Sequence, residues 1–304
     1  MQQQFASVVS STYDASHKTS VDKVFLMIPS PLAALMKLSV TVNGILVPLK
    51  NVENAIARFC KPALFHNKNE TTYDLSKSGS TFLLRYKRRN IALFTRHQLG
   101  NEQSLFKPEQ STITFTDIDG TVIGIGPIAA SRVLMKHTEH SNLEDVVFLD
   151  YGNEHNKRNL RGLFLDIDSM STLSTVNQDL IKVIFAIGYP TAYGMIDIKC
   201  DDDGIVTCVS MQSNKVKLYL SIDEPMTFDP ENRIPMVQNE RANQETIAPD
   251  GMSGAPVFFV WLDNSSNAHL GFAGIITHAR DRRYMIYDGE ILRQILDSSI
   301  KDSR

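Results

Sequence analysis

Ser253 lies in Asp250-Gly251-Met252-Ser253-Gly254-Ala255-Pro256, a turn of small residues that runs straight into the apolar stretch Val257-Phe258-Phe259-Val260-Trp261. A serine on such a turn is a candidate nucleophile. Gly251 and Gly254 let the backbone bend tightly around it without a Cβ clash. The bend exposes the hydroxyl and can turn the amides of Gly251 and Ser253 toward one point, an oxyanion hole. The hydroxyl is inert until a histidine takes its proton and a carboxylate orients that histidine. The rest of the chain is read for those two groups.

His97 follows the apolar run Ile91–Thr95, which reads as a strand, and sits in the turn at its end. A strand end is a rigid place from which to hold a general base. The preceding segment, Gly79-Ser80-Thr81-Phe82-Leu83-Leu84-Arg85-Tyr86, is expected to pair with that strand across a Lys87–Asn90 turn. Asp145 stands immediately before Val146-Val147-Phe148-Leu149. An acid at a strand mouth, distant in sequence from His97 and Ser253, fits an orienting carboxylate. Glu144 and Asp150 are neighbouring alternatives, but Asp145 has the apolar run directly after it.

The elements that must hold these groups are short strands. Phe82–Tyr86, Ile91–Thr95, Thr112–Thr116, Val122–Ile125, Val146–Leu149 and Leu163–Ile167 form one set, rich in Val, Ile, Phe and Thr. Val183–Ile187, Met195–Ile198, Ile205–Val209, Val216–Ser221, Val257–Trp261, Gly271–Thr277 and Tyr284–Tyr287 form a second. Strands this closely spaced suggest a barrel or sandwich, not βαβ units. The polar stretch Asp168–Asp179 is the expected linker. Ile291, Leu292, Ile295, Leu296 and Ile300 share one face of a helix starting near Asp288. Before the first set, residues 1 to about 20 read as a mobile polar tail and Lys23–Ile28 as a strand. Leu38–Val42 and Ile45–Leu49 read as a hairpin around Asn43-Gly44, and Asn51–Phe59 as a short helix.

Three blocks, in the order His, Asp, Ser, resemble the trypsin-like serine proteases. Gly-x-x-Phe-Leu-Leu with Phe94-Thr95-Arg96-His97 resembles the histidine block. Asp145-Val146-Val147-Phe148-Leu149 resembles the aspartate block, and Gly251-Met252-Ser253-Gly254-Ala255-Pro256 the serine block. Ile187-Gly188-Tyr189-Pro190 resembles a strand end of the glutamyl-endopeptidase-like branch. The chain is nearer such single-chain bacterial or viral types than the secreted digestive enzymes. The resemblance covers about residues 75–304.

It implies a mainly β fold: two packed antiparallel β-barrels of chymotrypsin type, an N-terminal mixed α/β extension and a C-terminal helix. The expected divisions are 1–74 for the extension, 75–170 for a barrel carrying His97 and Asp145, and 171–304 for a barrel carrying Ser253, plus the helix. The implied activity is peptide-bond hydrolysis through an acyl-enzyme, with a protein or peptide substrate, no cofactor and no metal. Two positions depart from the family. Met252 stands where the digestive enzymes carry an aspartate that locks the activated zymogen, which suits an enzyme made active. Arg96 stands where a small residue precedes the histidine.

By alignment along the serine loop, Ile247 falls near the floor of the specificity pocket, and an apolar floor offers no partner to Lys or Arg. Gly274-Ile275-Ile276-Thr277-His278 resembles the strand lining that pocket, with Thr277, His278 and Ala279 along its wall. His278 there would favour an acidic side chain; an outward-facing strand histidine is the plainer reading.

Two rival readings exist. Asp117-Ile118-Asp119-Gly120-Thr121 resembles the signature of haloacid-dehalogenase-type phosphatases, with Asp117 as nucleophile and Asp119 as general acid beside magnesium. That family needs βαβ units, whereas here the motif reads as a tight turn between strands. A protease fold retained as a binding module is the other rival, with Arg96 its main support.

Composition narrows the classes further. Hydrophobic residues make up 42% and charged residues 21% of the 304, ordinary for a globular protein. A formal net charge of -3 provides no basic footprint for nucleic acid. The apolar region Val24–Leu49 contains Pro29, Pro31, Lys37 and a turn, so no membrane span is expected. Three cysteines, Cys60, Cys200 and Cys208, and no secretory signal suggest a reducing, cytoplasmic setting. Cys200 and Cys208 flank Asp201-Asp202-Asp203-Gly204, a solvated turn in preference to a calcium site, and could face each other. The N-terminal extension shows no chemistry; it is a candidate for docking a regulatory partner.

Overall fold

Phe82-Leu83-Leu84 and Ile91-Ala92-Leu93-Phe94 are apolar at every position, so strands built from them must be covered on both faces. All seven residues are buried. The computed structural model describes residues 37–66, 75–99, 113–116, 122–125, 129–134, 143–152, 161–204, 206–243 and 245–302. The tail, the Lys23–Ile28 strand, Asp117 and Asp119 lie outside them.

The protein is mainly β. β1 (Ser39–Val42) and β2 (Ile45–Pro48) form the expected hairpin, with Val42 opposite Ile45. A short helix, Val52–Ala57, follows and buries Val52 and Ile56. β3 (Cys60–His66) pairs with β4 (Leu75–Tyr86), and β4 with β5 (Arg89–Phe94). Tyr86 is opposite Arg89, so the turn is Lys87-Arg88 alone and Asn90 is already in the strand. β6 (Ile113–Thr116) and β7 (Val122–Ile125) pair antiparallel, Thr116 opposite Val122, on either side of the Asp117–Asp119 motif.

β8 (Ala129–Leu134) and β9 (Leu143–Asp150) complete the first sheet with β10 (Leu165–Asp166). Its order is β10-β4-β5-β9-β8, with β3 also on β4. The strand expected over Leu163–Ile167 is reduced to the two residues of β10, which run parallel to β4 after a 3-10 turn at Arg161–Leu163.

The second set closes. β11 (Ile181–Gly188), β14 (Val216–Ile222), β15 (Arg233–Gln238), β16 (Pro256–Leu262), β17 (Ala268–Arg280) and β18 (Arg283–Asp288) form a barrel in the order β11-β14-β15-β18-β17-β16. β12 (Gly194–Cys200) and β13 (Val206–Ser213) pair as a separate hairpin. Its register sets Cys200 opposite Val206 and Cys208 opposite Lys199, and Cys200 is an exposed free thiol. At the turn, Asp201 Oδ1 accepts the Asp203 amide at 3.1 Å.

An aromatic cluster joins sheet and barrel. The Phe82 ring meets Phe258 edge-on at 5.5 Å and lies 5.3 Å from Phe272, all three fully buried. Such pairs add about 0.5–1.5 kcal/mol each beyond area burial. The C-terminal helix, Gly289–Asp302, buries Leu292 and Leu296 and half-buries Ile291 and Ile295. From it, Arg293 Nη2 donates to the carbonyls of Ile167 (2.6 Å) and Met170 (2.5 Å). The segment expected to be a linker is thereby clasped, and it buries Met170, Thr172 and Leu173. No helix among the described residues is long and apolar enough to cross a membrane.

Candidate active site

β5 ends at Phe94, and the chain turns at once into a 3-10 segment, Arg96–Leu99. That turn carries His97 over the end of β9, the strand paired with β5. Asp145 is the third residue of β9, so it lies inside the strand instead of just before it. Its carboxylate grips His97 twice. Oδ1 accepts the His97 backbone amide at 2.9 Å, and Oδ2 lies 2.5 Å from Nδ1.

A carboxylate can only accept, so in the neutral ring Nδ1 carries the proton and Nε2 keeps the lone pair. The Asp145 side chain is 12% exposed and that of His97 40%. The orienting group is shielded while the ring is open to an incoming proton donor. The alternative acid Asp150 is committed elsewhere: it is paired with Arg89 and accepts the Gly152 amide at 2.7 Å. The side chain of Glu144 lies outside the described residues.

Ser253 sits on the turn that enters β16. Gly251 has φ +84, and a Cβ there would lie 2.6 Å from the Thr191 amide nitrogen. Gly254 has φ +81, and a Cβ there would lie 2.0 Å from the Ser80 carbonyl oxygen. Both positions therefore need glycine for conformation and for space. Met252, between Gly251 and Ser253, is fully buried in the barrel core, with its sulfur packed over Gly188.

The turn's peptides are held by their carbonyls. The Asp250 carbonyl accepts the Thr191 amide at 2.9 Å, and the Met252 carbonyl accepts the Ala255 amide at 2.9 Å. In a trans peptide the N–H points opposite to the C=O. The N–H groups of Gly251 and Ser253 thus face away from those anchors. Neither donates to a protein acceptor among the described residues. Two oriented, unused amides beside a hydroxyl are suited to stabilising a developing oxyanion.

The histidine and serine segments meet through neighbours. Gln98, next to His97, donates from Nε2 to the Ser253 carbonyl at 2.5 Å. The Gly254 amide donates to Ile276 at 2.8 Å, and two residues further along β17 the His278 ring lies 6.2 Å, centre to centre, from the His97 ring. The Ser253 hydroxyl and His97 Nε2 make no hydrogen bond to each other; such bonds are often long before substrate binds.

The residues expected to bind substrate are placed differently from one another. His278 is exposed beside His97, with Nδ1 3.2 Å from the Thr277 hydroxyl. Thr277 is fully buried; its hydroxyl accepts from Arg233 Nε at 3.0 Å and lies 3.2 Å from the Met285 carbonyl. Ile247 is buried in the barrel core, and Ala279 packs half-buried against the same cluster. Sequence reading missed Ser80 and Gln98. Ser80 Oγ accepts the Tyr189 amide and donates to the Gly251 carbonyl, each at 2.9 Å. Arg96 projects from the histidine turn, half-buried.

No protein-family profile matches the chain, and no curated protein matches it.

Proposed function

We propose that this protein is a serine endopeptidase of the trypsin-like kind, with Ser253 as nucleophile, His97 as general base and Asp145 as orienting acid. One observation carries the reading: the two-point grip of Asp145 on the amide and Nδ1 of His97, beside a glycine-flanked serine. On this reading the sheet around β4, β5 and β9 stands for the first barrel of a chymotrypsin-type pair and the closed barrel for the second.

Ser253 Oγ attacks a peptide carbonyl, and His97 Nε2 accepts its proton and returns it to the leaving amine. The Gly251 and Ser253 amides stabilise the oxyanion, a contribution of about 3–4 kcal/mol per donor in well-studied enzymes. Met252 is anchored in the barrel core by apolar packing, where the digestive enzymes use a charged lock, which supports a site formed without cleavage of the chain. The exposed His278 beside His97 supports an acidic preference over a basic one.

Hydrolysis of an unfolded protein substrate tests the reading. Wild type is expected to cleave it, and Ser253→Ala and His97→Ala are expected not to. Equal activity in the three proteins would remove the assignment. The missing Ser253–His97 hydrogen bond is the observation that favours a non-catalytic binding module; a wild type that binds peptide without cleaving it would support that alternative.

A further inference from the structure

Gln98 is buried, at 6% exposure, and its side-chain amide is aimed at backbone, not solvent. Nε2 donates to the Ser80 carbonyl at 3.1 Å and to the Ser253 carbonyl at 2.5 Å. The Ser253 carbonyl also accepts the Ser80 amide at 2.9 Å. One amide group thus closes a three-way junction between the histidine turn, β4 and the serine turn.

The space around it is kept clear. A Cβ on Gly79 would lie 2.9 Å from Gln98 Nε2, and one on Gly254 would lie 2.7 Å from the same atom. The opposite orientation of the amide would set its oxygen against two carbonyl oxygens, so the hydrogen bonds determine which way it faces. That orientation leaves Oε1 buried without a partner. An unpaired buried acceptor is unfavourable, and an apolar residue of the same length would avoid it. That cost is set against the two hydrogen bonds Nε2 gives to the Ser80 and Ser253 carbonyls.

We propose that Gln98 is a positioning residue: it fixes the Ser253 main chain relative to the neighbouring His97, so that hydroxyl and imidazole are held in register. The role rests on the serine endopeptidase reading. Misplacement of reacting groups by about an ångström can cost about a hundredfold in rate. Gln98→Met keeps length and burial but removes both donors. Gln98→Glu keeps shape but sets oxygen against both carbonyls.

The test is the rate at which a fluorophosphonate acylates Ser253, measured over a range of probe concentrations with circular dichroism of each variant. In Gln98→Met the limiting rate is expected to fall about tenfold to a hundredfold, with half-saturation close to wild type and the protein still folded at the assay temperature. Gln98→Glu is expected to be slower still. Limiting rates equal to wild type in both variants would overturn the role of Gln98 alone. Rates that fall only in proportion to unfolded protein would also overturn it, leaving a purely structural residue. A wild type that does not label would overturn the endopeptidase reading and this role with it.

Discussion

The Asp145 carboxylate lies 2.5 Å from His97 Nδ1 and also accepts the His97 main-chain amide. Ring and backbone of one residue are therefore fixed by one group, which leaves the imidazole little freedom to choose tautomer or tilt. Asp145→Asn removes the charge and can present a donor to Nδ1, which drives the ring to the wrong tautomer. Turnover is expected to fall by about 10⁴, the loss seen for the same change in a well-studied triad, with the far-ultraviolet spectrum unchanged. Steady-state kinetics checks it; a loss of less than tenfold would show that Asp145 does not orient the base.

Gly251 carries both a positive φ and a backbone contact that no side chain can share. Gly251→Ala must move the Asp250–Gly251 peptide off the Thr191 amide, and with it the N–H proposed to bind the oxyanion. Turnover is expected to fall about 10²–10³-fold, as when one oxyanion donor is removed. Peptide-binding affinity measured on the Ser253→Ala background is expected to change little.

Phe82 ties the sheet that carries His97 to the barrel that carries Ser253 through Phe258 and Phe272. Phe82→Ala is expected to cost about 3–5 kcal/mol of stability, as for large aromatic truncations in cores. Chemical denaturation measures it. A cost below about 0.5 kcal/mol, within the range of surface changes, would show that the two units do not depend on this contact.

Arg283 donates Nε to Asp223 at 2.7 Å and Nη1 to Asp229 at 2.6 Å, pinning the loop between β14 and β15. Its guanidinium holds both carboxyls below their ordinary values. For groups depressed by folding, the contribution is present above the unfolded value, about 3.9. It is lost as pH falls below that toward the folded values. Thermal midpoints of wild type and Arg283→Met are expected to converge as the pH is lowered from 5 toward 2. A gap that stays constant would deny the linkage.

Much of the strand pattern was legible because apolar runs such as Phe82–Leu84 and Val257–Val260 leave few alternatives to a covered strand. The Asn43-Gly44 hairpin was legible from its turn pair. Among the described strands, three were not. β3 and β15 each contain a proline, Pro62 and Pro235, and β15 opens on Arg233, so neither shows a clean apolar run. β8 mixes Ser131 and Arg132 among small residues.

At the site, residue types and order pointed to His97, Asp145 and Ser253, because a nucleophile needs those chemistries. Ser80 and Gln98 act through backbone carbonyls 171 and 155 residues away, contacts that leave no spacing signal in the chain. Thr277, expected on a pocket wall, is buried at the irregularity between Ile276 and His278 in the β17–β18 pairing, and Ile247, expected near a pocket floor, is buried in the barrel core.

The most direct measurement is the intact mass of the protein after exposure to a fluorophosphonate, for wild type, Ser253→Ala and His97→Ala. The serine oxygen would bond to phosphorus, fluoride would leave, and His97 would take the proton. One adduct on wild type, none on Ser253→Ala and little on His97→Ala is the expected result. No adduct on wild type, or one that survives Ser253→Ala, would contradict an activated Ser253.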